Sequence, residues 1–120
     1  MDQDIHFQHT TALAAGADTT TYLQLPYRCT MRDVRGIIQG ANAAEETVTV
    51  TYGTTVAAAT AIGVLTFAIG SAGGVGTWVA DSTTGETKMA ADGYLKFVVS
   101  SVGTDAAAIN LDLELDPYAR

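Results

Sequence analysis

Residues 109–120 of this 120-residue chain read INLDLELDPYAR, and the alternation in this stretch decides the fold. Side chains two residues apart lie on the same face of a β-strand, separated by about 6.5–7 Å. The stretch therefore predicts a strand with an apolar face and an acidic face. The acidic face carries the carboxylates of Asp112, Glu114 and Asp116. The apolar positions are Ile109, Leu111, Leu113 and Leu115.

The three carboxylates raise the question of catalysis. Carboxylates at this spacing are in the general range that glycoside hydrolases use, but such a pair also needs a cleft that separates its two pKa values. Here the carboxylates alternate with leucine along a regular strand, which places them on a flat outer face. We interpret the row as a solvated face, and calcium binding or ion pairing between subunits stays open as an alternative.

Period-two alternation recurs elsewhere in the chain. Val48, Val50 and Tyr52 alternate with threonines up to Gly53, and residues 94–99 alternate directly after the turn signal Asp-Gly at 92–93. The segments GVLTFAIG and TWVA indicate two further short strands. About seven or eight strands follow from these patterns, with no convincing helix. Because each strand has one apolar face, we predict an all-β fold in which two antiparallel sheets close into a β-sandwich.

Composition and charge narrow the function classes. The chain is long enough for one domain, and 48% of its residues are hydrophobic. Its 13 acidic and 6 basic residues give a net charge of −7, which disfavours nucleic-acid binding. A single cysteine, Cys29, closes no internal disulfide and builds no cysteine-based zinc site. We interpret it as a small buried hydrophobic residue.

One stretch requires a membrane test. No charged residue occurs from Thr47 to Ala80, which is long enough to span a bilayer as a helix. Its several glycines and threonines, and the lack of a flanking Lys or Arg, argue against a transmembrane helix. The acidic N-terminal segment also lacks the apolar core of a secretory signal. We therefore predict a soluble protein with no membrane contact.

The first part of the chain has a different character. Residues 1 to about 20 show no sustained period, and we predict an extended, flexible N-terminal arm there, followed by a single β-sandwich domain over residues 21–120. Ile5 and Phe7 are apolar side chains on this otherwise polar arm, which indicates a segment that orders against a partner. His6 and His9 reach one metal ion only if the segment is helical, and no third ligand supports such a site.

Three arginines lie within eight residues, at Arg28, Arg32 and Arg35. The phase of the apolar positions shifts near Asp33, which predicts a β-bulge that brings Arg35 toward the face of the other two. An anion-binding patch is one interpretation, and ion pairs with carboxylates of a neighbouring strand or subunit are the favoured one. We predict the following residues as partner contacts: Ile5, Phe7, Arg28, Arg32 and Arg35.

No catalytic motif emerges from the sequence. The glycine-rich segment GSAGGVGTW lacks the lysine and the helix that a phosphate-binding loop requires. A Gly-x-Ser-x-Gly nucleophile motif does not occur. We predict that the chain is not an enzyme and that it has no cofactor and no metal site.

Several segments, taken in order, resemble small virion proteins of tailed bacteriophages. They are YRCTMRDVRGIIQG, ETVTVTYGTT, GVLTFAIGSAGGVGTW, MAADGYLKFVVSS and LDLELDPYAR. The likeness covers residues 20–120 and is to the jelly-roll proteins that decorate or cement capsids. It implies a jelly-roll sandwich that forms a homotrimer on the capsid surface of the virion and contacts the major capsid protein. It transfers no functional site to individual residues.

Two other functions compete with this one. A tail-fibre tip or a receptor- or carbohydrate-binding module would expose aromatic side chains, of which the candidates are Tyr22, Tyr52, Trp78 and Tyr94. The alternation places Tyr52 with Val48 and Val50, which favours the core for this tyrosine. A small membrane-active phage protein would use residues 56–80.

Overall fold

The computed structural model describes residues 5–12, 18–39, 45–57, 60–68, 75–81, 88–100 and 108–117. These residues form nine β-strands, and none of them is helical. The strands are β1 (Ile5–Ala12), β2 (Thr19–Gln24), β3 (Cys29–Gln39), β4 (Glu46–Gly53), β5 (Thr60–Phe67), β6 (Thr77–Ala80), β7 (Lys88–Met89), β8 (Tyr94–Val99) and β9 (Ala108–Pro117).

The strands form two antiparallel sheets. The small sheet has the order β1-β9-β3-β7, and the large sheet has the order β2-β8-β4-β5-β6. When the edge strand β6 is set aside, the remaining two four-stranded sheets, β1-β9-β3-β7 and β2-β8-β4-β5, have the strand order of a jelly roll. The predicted all-β sandwich is confirmed, and its strand order agrees with the jelly-roll expectation.

The core lies between the sheets and follows the alternations of the sequence. The leucines of β9 are at most 2% exposed, because β9 lies inside the small sheet with β1 on one side and β3 on the other. In the large sheet, Val48, Val50 and Tyr52 of β4 are buried as predicted. Full burial of a side chain of this size contributes about 1.5–3 kcal/mol, so these two strands supply much of the stabilisation.

Strand β3 contains the predicted bulge. Its register against β9 shifts between Met31 and Asp33, so that Arg32 is the extra residue. After the shift, Val34, Gly36 and Ile38 face the core. A bulge adds one residue on one strand and thereby resets which side chains face inward.

Two glycines allow the sheets to approach each other beside β3. A Cβ atom at Gly36 would lie 2.7 Å from Cδ2 of Leu65, and one at Gly76 would lie 2.8 Å from Cγ of the same leucine. The amide of Gly76 donates to the carbonyl of Gly36 at 3.1 Å, and Val75 forms a bridge with Ile37. The chain therefore touches the small sheet at 75–76 and then enters the large sheet as β6.

The N-terminal segment differs from the predicted flexible arm. Residues 5–12 are extended, but they form β1, the edge strand of the small sheet, paired from Ile5 opposite Leu115 to Ala12 opposite Ala108. Of the rest of the predicted arm, residues 1–4 and 13–17 lie outside the described residues, and residues 19–20 begin β2. The pairing joins segments about 100 residues apart in the chain, and no local pattern in residues 5–12 signals it.

The charge-free stretch and the Asp-Gly turn also take definite structures. Described residues between Thr47 and Ala80 belong mainly to β4, β5 and β6, and no described helix is both long and apolar enough to cross a bilayer.

Asp92 has a φ angle of 66°, a left-handed conformation that Asp tolerates better than most residues. Its amide donates to the carbonyl of Leu25 at 2.8 Å, so this turn also anchors the end of β2.

Candidate functional site

The outer face of the small sheet carries most of the charged side chains that the described strands contain. Asp112 and Asp116 of β9 have side-chain exposures of 35% and 26%, consistent with the predicted solvated row. Directly opposite positions across the sheet join Gln8, Asp112 and Arg35 in one rung. The charged residues of this face are Arg32, Asp33, Arg35, Lys88, Asp112, Glu114 and Asp116.

Ion pairs and hydrogen bonds connect these groups within the chain. Arg35 Nε donates to Asp33 Oδ2 at 3.0 Å, and Arg32 Nη1 lies 3.9 Å from Asp116 Oδ2. His6 Nδ1 lies 3.2 Å from Asp112 Oδ2. Arg32 pairs with a carboxylate of the neighbouring strand β9, as the favoured interpretation expected, whereas Arg35 pairs with Asp33 of its own strand. Each exposed pair contributes at most about 1 kcal/mol.

A groove of about 480 Å³ runs along β9 on this face. Its lining comes from the three neighbouring strands β1, β9 and β3. Thr10 Oγ1 donates to Asn110 Oδ1 at 2.9 Å, and Oδ1 of Asp112 is buried without a hydrogen-bond partner among the described residues. The residues lining the groove are Gln8, Thr10, Arg35, Gly36, Ile37, Asn110, Leu111 and Asp112. No local pattern in the sequence predicts this groove, because its residues come from three strands that are distant along the chain.

The five residues predicted as partner contacts do not lie together. Phe7 packs against the core, with its ring centroid 6.2 Å from that of Tyr27, whereas Arg32 and Arg35 are exposed on the outer face. Arg28 precedes β3 and is partly buried, and the backbone of Ile5 pairs with β9. The contact of these residues with a partner stays a prediction.

The two histidines of the HFQH motif face opposite sides of β1. His6 is exposed on the outer face, whereas His9 points between the sheets, with Nε2 2.8 Å from Thr21 Oγ1 and its ring stacked 4.6 Å from that of Phe97. Burial lowers the pKa of His9 below its ordinary value of 6.5. An extended strand thus separates the two imidazoles and prevents them from sharing one metal ion.

Cys29 lies in the core, as predicted. It is fully buried, and burial raises the pKa of its thiol to about 11. The thiolate is the nucleophilic form of cysteine, so this environment makes the side chain unreactive. Within the described ranges, no group of three or more His, Cys, Asp or Glu side chains is arranged to hold a metal ion.

The outer face of the large sheet is chemically different. Lys96 is the only charged residue at the outward positions of its five strands in the described part of the chain. One row crosses all five strands through positions that are directly opposite each other. Its members are Thr20, Val98, Thr49, Val64 and Val79. Beside this row, Tyr22, Gln24 and Tyr94 lie at outward positions of β2 and β8. Depletion of charge together with exposed tyrosine is a feature of the centre of protein interfaces.

The aromatic side chains do not assemble into one exposed platform. Tyr52 is buried, and its hydroxyl accepts a hydrogen bond from the amide of Ala90 at 2.8 Å, so the prediction that it belongs to the core is confirmed. Trp78 is partly buried against the core. Tyr22, which is 45% exposed, and the partly buried Tyr94 lie on the same outer face, on the paired strands β2 and β8. The sequence matches no protein-family model and no curated protein. Function must therefore be argued from the two outer faces.

Proposed function

We propose that this chain is a structural virion protein that binds the outside of a bacteriophage capsid and stabilises the shell, as a decoration or cement protein. The observation that carries the proposal is the separation of charge between the two outer faces of the sandwich. The large sheet presents mainly uncharged side chains, among them threonine, valine and tyrosine, with Lys96 as its one charge among the described outward positions. The small sheet presents seven charged residues.

This separation suits a protein that is held between a protein surface and water. Charged residues are depleted at the centre of interfaces, because their desolvation is costly when they lack partners. Charged side chains on the opposite face keep a densely packed array of copies soluble. We therefore assign the large-sheet face to the contact with the major capsid protein.

Stabilisation of the shell would follow from mass action. A protein that binds only the assembled, folded shell lowers the free energy of that state, and the stabilisation grows with the logarithm of the ratio of its free concentration to its dissociation constant. Because a capsid repeats the binding position many times, a modest contribution at each position adds up over the lattice. This function requires no catalytic group, and the carboxylate row then serves solubility.

The proposal includes a homotrimer, which follows from the resemblance to jelly-roll decoration proteins. Light scattering after size exclusion measures the absolute mass without reference to shape. A mass three times that of the 12.5 kDa chain is the expected result. A clean monomer at all accessible concentrations would argue against a trimeric cement protein.

The direct test is addition to naked capsids. Shells assembled from the major capsid protein of the same phage are mixed with the purified chain and sedimented, with unassembled capsid protein as the control. We expect saturable co-sedimentation with the shells, and a rise in the temperature at which the shells disassemble. Absence of saturable binding, or equal binding to unassembled subunits, would contradict the proposal.

A further inference from the structure

We propose that the groove along β9 on the outer face of the small sheet binds a neutral saccharide. The groove has a volume of about 480 Å³, within the range of roughly 300–1,000 Å³ that is typical of small-molecule sites. It is built on three hydrogen-bonded strands, so its lining groups have fixed positions. This inference is independent of the capsid role, since it concerns a different surface.

The lining groups match the hydrogen-bonding needs of sugar hydroxyls. Each hydroxyl both donates and accepts, and the groove presents amides, a hydroxyl, a carboxylate and a guanidinium side by side. Asn110 uses its Oδ1 to accept from Thr10, which leaves its amide NH₂ as a donor for a ligand. Arg35 and Asp112, at directly opposite positions, add donors and acceptors one rung away.

Asp112 gives a specific reason to expect a ligand with donors. One carboxylate oxygen, Oδ2, contacts His6, while Oδ1 is buried and has no hydrogen-bond partner among the described residues. An acceptor left in this condition destabilises the protein by about its desolvation cost. Asp112 already lines the groove, so a ligand hydroxyl that reaches Oδ1 would supply the missing donor while Oδ2 keeps its contact with His6.

The same residues disfavour other classes of small molecule. The opposite charges of Asp112 and Arg35 lie at paired positions, so neither an anion nor a cation gains a net charge partner there. Ile37, which is 49% exposed, is the exposed apolar side chain of the lining, and hydrogen-bonding side chains flank it, so the groove suits a ligand that has both apolar and polar groups. A neutral, polyhydroxylated ring is the best chemical match, and because no aromatic side chain occurs among the described residues that line the groove, it would bind through hydrogen bonds and contact with Ile37, not through aromatic stacking.

The position of the groove has a consequence for the virion. The two outer faces lie on opposite sides of the sandwich, so a chain that docks through its large sheet displays the groove away from the shell. A saccharide site there would contact glycans outside the particle. Loss of capsid binding and loss of saccharide binding are separate results, because they concern separate surfaces.

The test is chemical-shift mapping on the full-length ¹⁵N-labelled chain. The probes are the methyl α-glycosides of glucose, mannose and galactose, and methyl N-acetyl-β-glucosaminide, each titrated separately. For at least one probe, we expect saturable shifts at the amides of 8–10, 35–37 and 110–112, with a dissociation constant on the order of 1 mM. Shifts absent for all four probes, or spread equally over both faces, would overturn the inference.

Two variants of the groove and one of the opposite face complete the test. Asp112→Asn and Asn110→Ala each remove hydrogen-bonding groups from the groove, and each is expected to weaken binding about tenfold or more. Thr49→Ala, on the outer face of the large sheet, is the matched control and should bind as the wild type does. If both folded groove variants keep wild-type affinity, the groove is not the site.

Discussion

Gly36 faces the core at a point where the small sheet meets Leu65 and Phe67 of the large sheet. A Cβ atom there would lie 2.7 Å from Cδ2 of Leu65 and 3.0 Å from Cζ of Phe67, and both side chains are at most 1% exposed. The position therefore requires glycine for space, since its neighbours have no solvent into which they can move. The structure reveals this requirement, whereas the sequence shows only a glycine in an apolar strand.

We expect Gly36→Ala to lower the free energy of unfolding by about 1–3 kcal/mol, because the extra methyl group overpacks a closed core. Urea unfolding followed by circular dichroism measures the change. The control is Ile37→Val at the next position, which is half-exposed and should change the free energy of unfolding by about 0.5 kcal/mol or less. Equal effects of the two substitutions would contradict the close approach of the sheets at Gly36.

His9 makes the stability of the fold depend on pH. Burial lowers its pKa in the folded state below the value of 6.5 of the unfolded chain, so the unfolded chain binds a proton more readily. Stability from this residue is therefore complete above pH 6.5 and decreases as the pH falls through this value toward the lower pKa of the folded state. Contacts with Thr21 and Phe97 hold the neutral ring between the sheets.

We expect the midpoint of urea unfolding to fall as the pH decreases from 7.5 to about 5. In His9→Gln, most of the fall near pH 6 should be absent. His6→Gln is the matched control, because it removes the exposed imidazole of the same strand. A decrease that persists unchanged in His9→Gln would show that other groups cause it.

The bulge in β3 connects the sequence pattern to the register of the sheet. Met31 pairs with Leu115 and Asp33 pairs with Glu114, so Arg32 is the additional residue between two consecutive rungs. Removing Arg32 would leave a regular ladder in which every later pairing is kept. Removing a residue beyond the bulge would instead shift the following residues by one position, so that inward side chains would face outward and outward side chains would face inward.

We therefore expect deletion of Arg32 to be tolerated, with a loss of about 1–2 kcal/mol from its ion pair with Asp116 and from the local change in twist. Deletion of Arg35 is the contrasting variant. It would bring Ile37 to the position of Gly36, against Leu65, and should prevent folding. Dispersed amide spectra and cooperative melting distinguish the outcomes, and an unfolded Arg32 deletion variant would contradict the assigned register.

The strands show which parts of the fold the sequence alone predicts. Period two in residues 47–52 and 109–115, the Asp-Gly turn and the phase shift near Asp33 are local signals, and the sequence predicted all of them correctly. Strand β1 was missed, because residues 5–12 acquire their structure from β9 at the other end of the chain. The groove was missed for the same reason, since Gln8, Arg35 and Asn110 meet only through strand pairing.

The whole sandwich has two outer faces that differ in charge, and this difference is the basis of the proposed docking. Thr49 lies in β4, the third of the five strands of the large sheet, and pairs with Val98 on one side and Val64 on the other. Thr10 lies on β1, on the outer face of the small sheet. Both are exposed threonines within strands, so the same substitution at each changes the net charge of the chain equally.

We expect Thr49→Lys to weaken binding to assembled capsids about tenfold or more, because it places an ammonium group without a partner in the centre of a desolvated surface. Thr10→Lys should leave the affinity for capsids within about threefold, since its side chain stays in water. Co-sedimentation at several concentrations of each variant gives the two affinities, and light scattering verifies that both keep the wild-type mass. If the two substitutions weaken capsid binding equally, long-range charge and not the large-sheet face governs attachment. If only Thr10→Lys weakens binding, the chain docks through its charged face, and the orientation proposed for the bound chain is reversed.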